Sequence, residues 1–293
     1  MKEQFRDIHL SKANLSRLDI INQIIENYQA DGYRLTLRQL YYQLVSRDII
    51  PNKQAEYAKL SNLLKEGRMA GIVDWDAIED RLRRPDVPSS WESPKHIVQA
   101  CIEQYRVNRM RNQSTYIEVW VEKDALSGVL KRVTEKYHIP IVVNRGYSSA
   151  TAMHDAHMRF ASVPETTEQI LIIYIGDFDP SGQDMIRDIT DRIDEFNNDS
   201  YYDFKVAPIA LLRSQIQAYN PPPNPAKITD PRAKEYIRKY GPTSWEVDAL
   251  RPEILHSLLE DEILNHIDME QYENALVKEK EGKSKLSSLV KKL

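Results

Sequence analysis

The chain has 293 residues, 41% apolar and 29% charged, with 40 Lys and Arg against 44 Asp and Glu for a formal charge of −4. That length and apolar content suffice for two modest cores, while the slight negative charge excludes a general polyanion binder, so any nucleic-acid contact must rest on a local patch. The single cysteine, Cys101, excludes an intramolecular disulfide and a multi-cysteine zinc site, and reads as a small buried side chain.

The first periodic segment is "NLSRLDIINQIIENYQADG", where Leu18, Ile21, Ile24, Ile25 and Tyr28 share one helical face and Gly32 stops the helix. A second helix, "TLRQLYYQLVSRD", opens at Thr36 as N-cap and carries Leu37, Leu40, Tyr41, Leu44 and Val45 as its apolar stripe. Tyr41 therefore reads as a core aromatic. Tyr42, rotated by about 100°, falls one turn after Arg38 on the more polar flank, where an exposed tyrosine beside an arginine needs another explanation. In "KQAEYAKLSNLLKEGRMAG", Tyr57, Leu60, Leu63 and Leu64 face inward and Lys53, Lys59, Lys65 and Arg68 outward. Three short helices with a basic last one are the pattern of a winged-helix or helix-turn-helix module, which "DWDAIEDRLRR" is expected to extend. The charge distribution agrees mildly: residues 1–116 hold 18 basic and 15 acidic residues, the remainder 22 and 29.

From Tyr116 the pattern changes to strands alternating with helices. "YIEVWVEKDALSGVL" is a β-rich run ending in Glu122, then a helix with Ala125, Leu126, Val129 and Leu130 inward. "IPIVVNRGYSSATAMHDAHMRF" repeats strand, Gly-containing turn and helix, and "DFKVAPIAL" supplies a further strand. Between them, "LIIYIGDFDPSG" runs an apolar strand into Asp177 and Asp179, followed by a helix with Met185, Ile186, Ile189 and Ile193 at helical spacing. Such alternation predicts a parallel sheet covered on both faces. Right-handed crossovers place every strand's carboxyl end on one edge, so that Glu122, Asp177 and Asp179 can converge there. Two readings of the Asp pair are open. Hard oxygen ligands with open positions suit Mg²⁺; alternatively, Asp177 caps the next helix and Asp179 begins the turn before Pro180.

The remaining segments carry less. His154 and His157 are spaced as a ligand pair, but no third nitrogen or sulfur ligand lies nearby in sequence. "NPPPNPAKITDPR" reads as an ordered loop or linker without regular structure, and "RPEILHSLLEDEILNHI" as an amphipathic helix opened by Pro252 that packs or forms a dimer contact. The end, "KEKEGKSKLSSLVKKL", reads as a solvated charged tail. No phosphate-cradling Gly-x-x-x-x-Gly-Lys-Ser/Thr loop occurs, so no ATPase site is expected in the chain itself. Neither a signal peptide nor a membrane-spanning apolar run is evident, and the expected location is the cytoplasm.

Glu122 at one strand end and Asp-x-Asp at a later one resemble the Toprim domain of topoisomerases, primases and some nucleases. More closely, "VEKDAL", "NRGYSSATA" and "GDFDPSG", in that order between Tyr116 and Ile209, resemble the topoisomerase VI A subunit and its relative, the meiotic double-strand-break protein. "RQLYY", Arg38 to Tyr42, fits that family's Arg-x-x-Tyr-Tyr-like sequence, whose second tyrosine attacks DNA. The resemblance implies an α/β chain with a winged-helix-like module over residues 1–112 and a Toprim domain with a C-terminal helical extension over residues 113–293. It implies a type IIB topoisomerase A-subunit-like enzyme that cleaves double-stranded DNA through a tyrosyl link. Tyr42 is then the nucleophile, Arg38 stabilises phenolate or phosphate, and Asp177 and Asp179 hold Mg²⁺ (or Mn²⁺ in its place). Glu122 shares the metal or moves a proton, and Lys53, Lys59, Lys65 and Arg68 contact phosphates. The implied partners are a second copy, whose metal site meets this chain's tyrosine, and a separate ATPase subunit. Two alternatives remain: a Toprim nuclease using metal-activated water, and a DNA-binding protein without catalysis.

Overall fold

The computed structural model describes residues 2–79, 88–144, 146–198 and 201–290. Three helices come first: α1 (Lys12–Ala30), α2 (Leu37–Ser46) and α3 (Gln54–Met69). Ser11 caps α1 by accepting from the Asn14 N–H, and the left-handed Gly32, φ 78°, turns the chain after it. Thr36 and Gln39 form a reciprocal capping box on α2. The expected stripes on these helices are buried except for Leu37 and Tyr57, which are half-buried, but α2 is covered on a second side as well, because residues 247–249 pack against it. Gln39 and Gln43 are buried with the apolar residues, and the Tyr28 hydroxyl donates to Gln43 Oε1 at 2.8 Å.

After α3 the chain makes a short 3-10 turn, Trp75–Ala77, bridged to the start of α2 by a Leu35–Ile78 parallel pairing. The rest of the expected extension, from Asp80 to Arg84, lies outside the described residues, as does Arg145 of the "NRGYSSATA" stretch. In α4 (Pro94–Gln104), Cys101 is exposed, not buried. Ile102 alone is the buried residue of that helix, so the neighbouring position points to solvent.

The α/β part follows in order: β1 (Thr115–Val121), α5 (Asp124–Tyr137), β2 (Ile141–Val143), α6 (Ala150–Ala161), β3 (Gln169–Ile175), α7 (Pro180–Phe196) and β4 (Phe204–Ala210). All strand pairings are parallel, in the order β2-β1-β3-β4, and β1 pairs with β3 from Thr115↔Gln169 to Val121↔Ile175. The two central strands are buried on both faces, where each fully buried Ile or Val contributes about 1.5–3 kcal/mol. Ile117, Val119, Val121, Leu171, Ile173 and Ile175 belong to one apolar cluster that also takes in the residues of α1, α2 and α3. The opposite face packs Trp120, Ile170, Ile172 and Tyr174 against Met153 and Phe160 of α6 and Met185, Ile189 and Ile193 of α7. Glu118 is fully buried on that face, held by Arg159 at 2.8 and 2.9 Å, the Trp120 indole N–H and the Tyr116 hydroxyl. His157 bonds the Tyr202 hydroxyl at 2.9 Å and stacks on Phe196, with His154 against the same ring, so both histidines are built into an aromatic cluster.

The C-terminal elements are α8 (Arg213–Tyr219), β5 (Pro223–Pro225), α9 (Ala233–Tyr240), β6 (Thr243–Trp245), α10 (Pro252–Leu264) and α11 (Met269–Val290). The proline-rich stretch is more regular than expected: β5 pairs antiparallel with β6, Asn224 opposite Ser244, a two-strand ribbon in which prolines at the ends lose little. The Pro252-opened helix is present as α10 and packs on α5. Residues 278–290, expected to be a solvated tail, continue α11; the last three residues and the side chains of 289 and 290 lie outside the description. The charge pattern missed Glu279, which is buried and bonded by Arg109 Nε and Nη2 at 3.1 and 3.0 Å and by the Val107 N–H. Among the described residues no helix is long and apolar enough to cross a membrane.

Candidate active site

The sheet edge at the carboxyl ends of β1 and β3 gathers the three acids expected there. The Glu122 N–H donates to the Ile175 carbonyl, and Glu122 Oε2 accepts from the Asp177 N–H at 2.9 Å, so the two strand ends are tied directly. Gly176 is extended by pairing with Ala210 and Leu211 of the neighbouring chain segment. A Cβ there would meet Tyr174 and Glu122 within 2.9 Å, so any larger residue would have to displace those side chains. Asp179 is the N-cap of α7, its Oδ1 accepting from Gly182 N–H at 2.6 Å and Ser181 Oγ–H at 3.0 Å. Sequence reasoning gave the cap to Asp177 and the turn to Asp179; the structure gives the cap to Asp179. Asp177 instead turns inward, Oδ1 accepting from Val247 N–H at 2.9 Å and Oδ2 facing Lys123 Nζ at 2.6 Å.

Lys123 is the residue that the sequence reading passed over. Its ammonium also contacts Glu246 directly and Asp248 Oδ2 at 3.5 Å. Arg38, reaching from α2, pairs with the same Glu246 and with Asp248 Oδ2 at 2.6 Å. Two cations thus link strand ends, the segment after β6 and helix α2 in one network. Burial opposes charge on Lys123, but Asp248, Asp177 and Glu246 outweigh it and raise its pKa, so it stays an ammonium. Burial likewise disfavours Arg38, whose pKa is nevertheless raised by Asp248 and Glu246. On the acidic side, burial pushes Asp177 upward; Lys123 opposes this, and Glu122, Glu246 and Asp248 add to it. Glu122 is also raised, chiefly by burial. For Glu246 burial pushes up, but Lys123 and Arg38 bring its pKa below the ordinary value. A signal for the missed acids was present: "EVD" at Glu246–Asp248 repeats the acid-x-acid spacing of "DFD".

Tyr42 is not on an exposed flank. It is 5% accessible, because residues 247–249 cover the side of α2 that the helical phase left polar. Its ring lies 5.8 Å from the Arg38 guanidinium carbon and 5.2 Å from the Tyr41 ring, and it lines one cleft with Asn224. Burial first, and Glu246 second, push the phenol up to about 12, against Arg38, Asn224 and Lys123. Tyr41 is a packing residue as expected, its hydroxyl donating to Asn52 Oδ1 and the Lys53 carbonyl and its ring set between Tyr42 and Tyr57. Tyr42, Arg38, Asp179, Glu246 and Lys227 line one open cleft of about 560 Å³.

The expected phosphate contacts divide. Lys53, at the N-cap of α3, and Lys59 and Lys65 on the helix are exposed, with Lys59 pairing with Glu56 at 2.6 Å. Arg68 turns inward: Nη2 donates to the Ile78 carbonyl at 3.2 Å and the guanidinium lies 5.7 Å from the Trp75 ring, because the 3-10 turn folds back over the end of α3.

Among the described residues, no three His, Cys, Asp or Glu side chains form a ready ligand set. The donors are nonetheless hard carboxylate oxygens suited to Mg²⁺, and Glu122 Oε1 and Asp179 Oδ2 are outside the bonds given above. Lys123 already places one positive charge on Asp177. Glu122, Asp177 and Asp179 thus offer the donor chemistry that a divalent cation takes, with Asp177 already paired to Lys123. Comparison with known proteins gives no match, whether to family models, curated sequences or solved structures.

Proposed function

We propose that the chain is a Mg²⁺-dependent DNA-cleaving enzyme of the kind its motifs resemble, a winged-helix-like module joined to a Toprim domain. The observation that carries this reading is the shared cleft: Tyr42 and Arg38 from α2 line the same opening as Asp179 at the turn after β3 and Glu246 after β6. Bound Mg²⁺ supplies Lewis-acid polarisation of a phosphate oxygen.

The chain's own groups do the rest. The exposed lysines of α3 hold duplex phosphates. The Tyr42 oxygen bonds to phosphorus while the phosphorus–O3′ bond breaks, leaving a tyrosyl-linked end and a 3′ hydroxyl. The phenolic proton passes to the cluster, where burial makes Glu122 a better proton acceptor than an ordinary carboxylate, and from there to the departing oxygen. Arg38 stabilises the developing phenolate, which a pKa of about 12 makes necessary. Rejoining is the reverse. With Tyr42 and Asp179 in one cleft, the chemistry proceeds within a subunit, and a homodimer carries two such clefts, one for each strand. A separate ATPase subunit is the partner that the resemblance implies.

The burial of Tyr42 favours a second reading, in which metal-activated water cuts the strand and Tyr42 is structural. Denaturing electrophoresis of a DNA reaction decides between them. Protein linked to a DNA end in the wild type and in Tyr41→Phe, but not in Tyr42→Phe, is the expected result. Nicked DNA with free ends in Tyr42→Phe assigns the reaction to water, and linked protein in that variant removes Tyr42 as nucleophile.

A further inference from the structure

A second cleft, about 900 Å³ and larger than the one beside Tyr42, opens between α7 and α9. Five cations line it, Arg187, Arg232, Lys234, Arg238 and Lys239, against two acids, Asp184 and Glu235. Two of the five are spent within the protein. Arg187 is bonded by Asp184 and Asp191 at 2.8 and 2.6 Å, and Arg232 by Asp184 and Asp230 at 2.9 and 3.2 Å. The other three stand exposed on the single helix α9. Arg238 approaches Glu235 only at 3.9 Å with both side chains more than 80% accessible, an ion pair of little strength. Lys239 rests 5.0 Å from the Tyr240 ring, which leaves its charge available.

This helix is fixed to the acidic turn. Phe178, between Asp177 and Asp179, packs its ring against Tyr236, Tyr240 and Trp245 at centroid distances of 5.9, 5.0 and 6.1 Å. The Tyr236 hydroxyl donates toward the Phe178 carbonyl at 3.0 Å, and Phe178 and Trp245 exchange backbone hydrogen bonds. Pro180, which follows Asp179, itself lines the cleft. A polyanion lying on α9 is therefore held at a fixed offset from the acidic turn.

We infer that Lys234, Arg238 and Lys239 of α9 form a second seat for the phosphate backbone of duplex DNA, which leads the strand into the carboxylate edge. It is separate from α3 and was not apparent in the sequence. The inference rests on the DNA-cleaving reading. Its test is the salt dependence of duplex binding by the full chain carrying Lys234→Gln, Arg238→Gln and Lys239→Gln. Each phosphate contact adds about 0.9 to the slope of log affinity against log salt, so the triple variant is expected to lose about 2.7 of that slope. If the triple variant is unfolded by circular dichroism, Lys234→Gln and Arg238→Gln singly are each expected to lose about 0.9. A folded variant with the wild-type slope overturns the α9 seat while leaving the reading intact. A wild-type chain that binds no duplex at low salt overturns both.

Discussion

The acidic edge of the sheet and the basic faces of α3 and α9 treat charge in opposite ways. At the edge, Asp177, Asp248 and Lys123 are largely or wholly removed from water and each is answered by another group of the chain. On α3 and α9, lysines extend into solvent with weak partners or none close by. A buried charge survives only when paired, so the edge is both a candidate site and a structural joint. An exposed cation contributes little to the fold and is free to meet a ligand.

The largest way to break this contrast is Lys123→Met. It removes the ammonium shared by Asp177, Glu246 and Asp248, and the uncompensated carboxylates are expected to cost about 3–5 kcal/mol of unfolding free energy in urea. A loss below about 1 kcal/mol in that measurement contradicts the joint. For the same reason Asp177→Asn is expected to lower stability as well as Mg²⁺-dependent cleavage, whereas sequence position alone, at a strand edge, suggests an undisturbed fold.

Glu279→Gln tests a second buried carboxylate, far from the site. Burial pushes the Glu279 carboxyl up, but Arg109 and Lys283 hold it below its ordinary value. Its stabilisation is therefore complete above the unfolded Glu value of about 4.3 and lost as pH falls through the lower folded value. The variant is expected to be about 2 kcal/mol less stable at neutral pH, with the gap closing in acid. A gap that stays constant from pH 7 to pH 3 rules out the charge as its cause.

Asp179 sharpens the contrast because capping and metal binding separate there. Asn caps a helix about as well as Asp, so Asp179→Asn should keep the melting curve, while Asp179→Ala should cost about 1 kcal/mol. Both are expected to lose Mg²⁺ affinity in isothermal titration; unchanged affinity in both takes Asp179 out of the metal set. The smallest structural effect belongs to Lys59→Gln with Lys65→Gln, which should leave the urea midpoint unmoved and reduce the salt slope of duplex binding by about 1.8. An unchanged slope moves the DNA surface away from α3.

Periodicity and turn chemistry were enough for α1–α3, α5–α7 and α10, the four parallel strands and the convergence of Glu122, Asp177 and Asp179, because strand alternation and crossover handedness act locally and obey general rules, whereas α4, α8, α9 and most of α11 went unread. The same local signals made Tyr41 a packing residue and Thr36 a cap. What they could not reach was a partner supplied by another element of the fold. Tyr42 appeared exposed until residues 247–249 covered it, and Arg68 appeared basic and outward until the turn after α3 folded back. Lys123 was only a residue between two acids until Glu246 and Asp248 arrived from more than 120 positions away. Helical phase fixes which residues share a face; which faces are then buried, and which charges meet, depends on contacts between distant segments, and those only the tertiary structure decided.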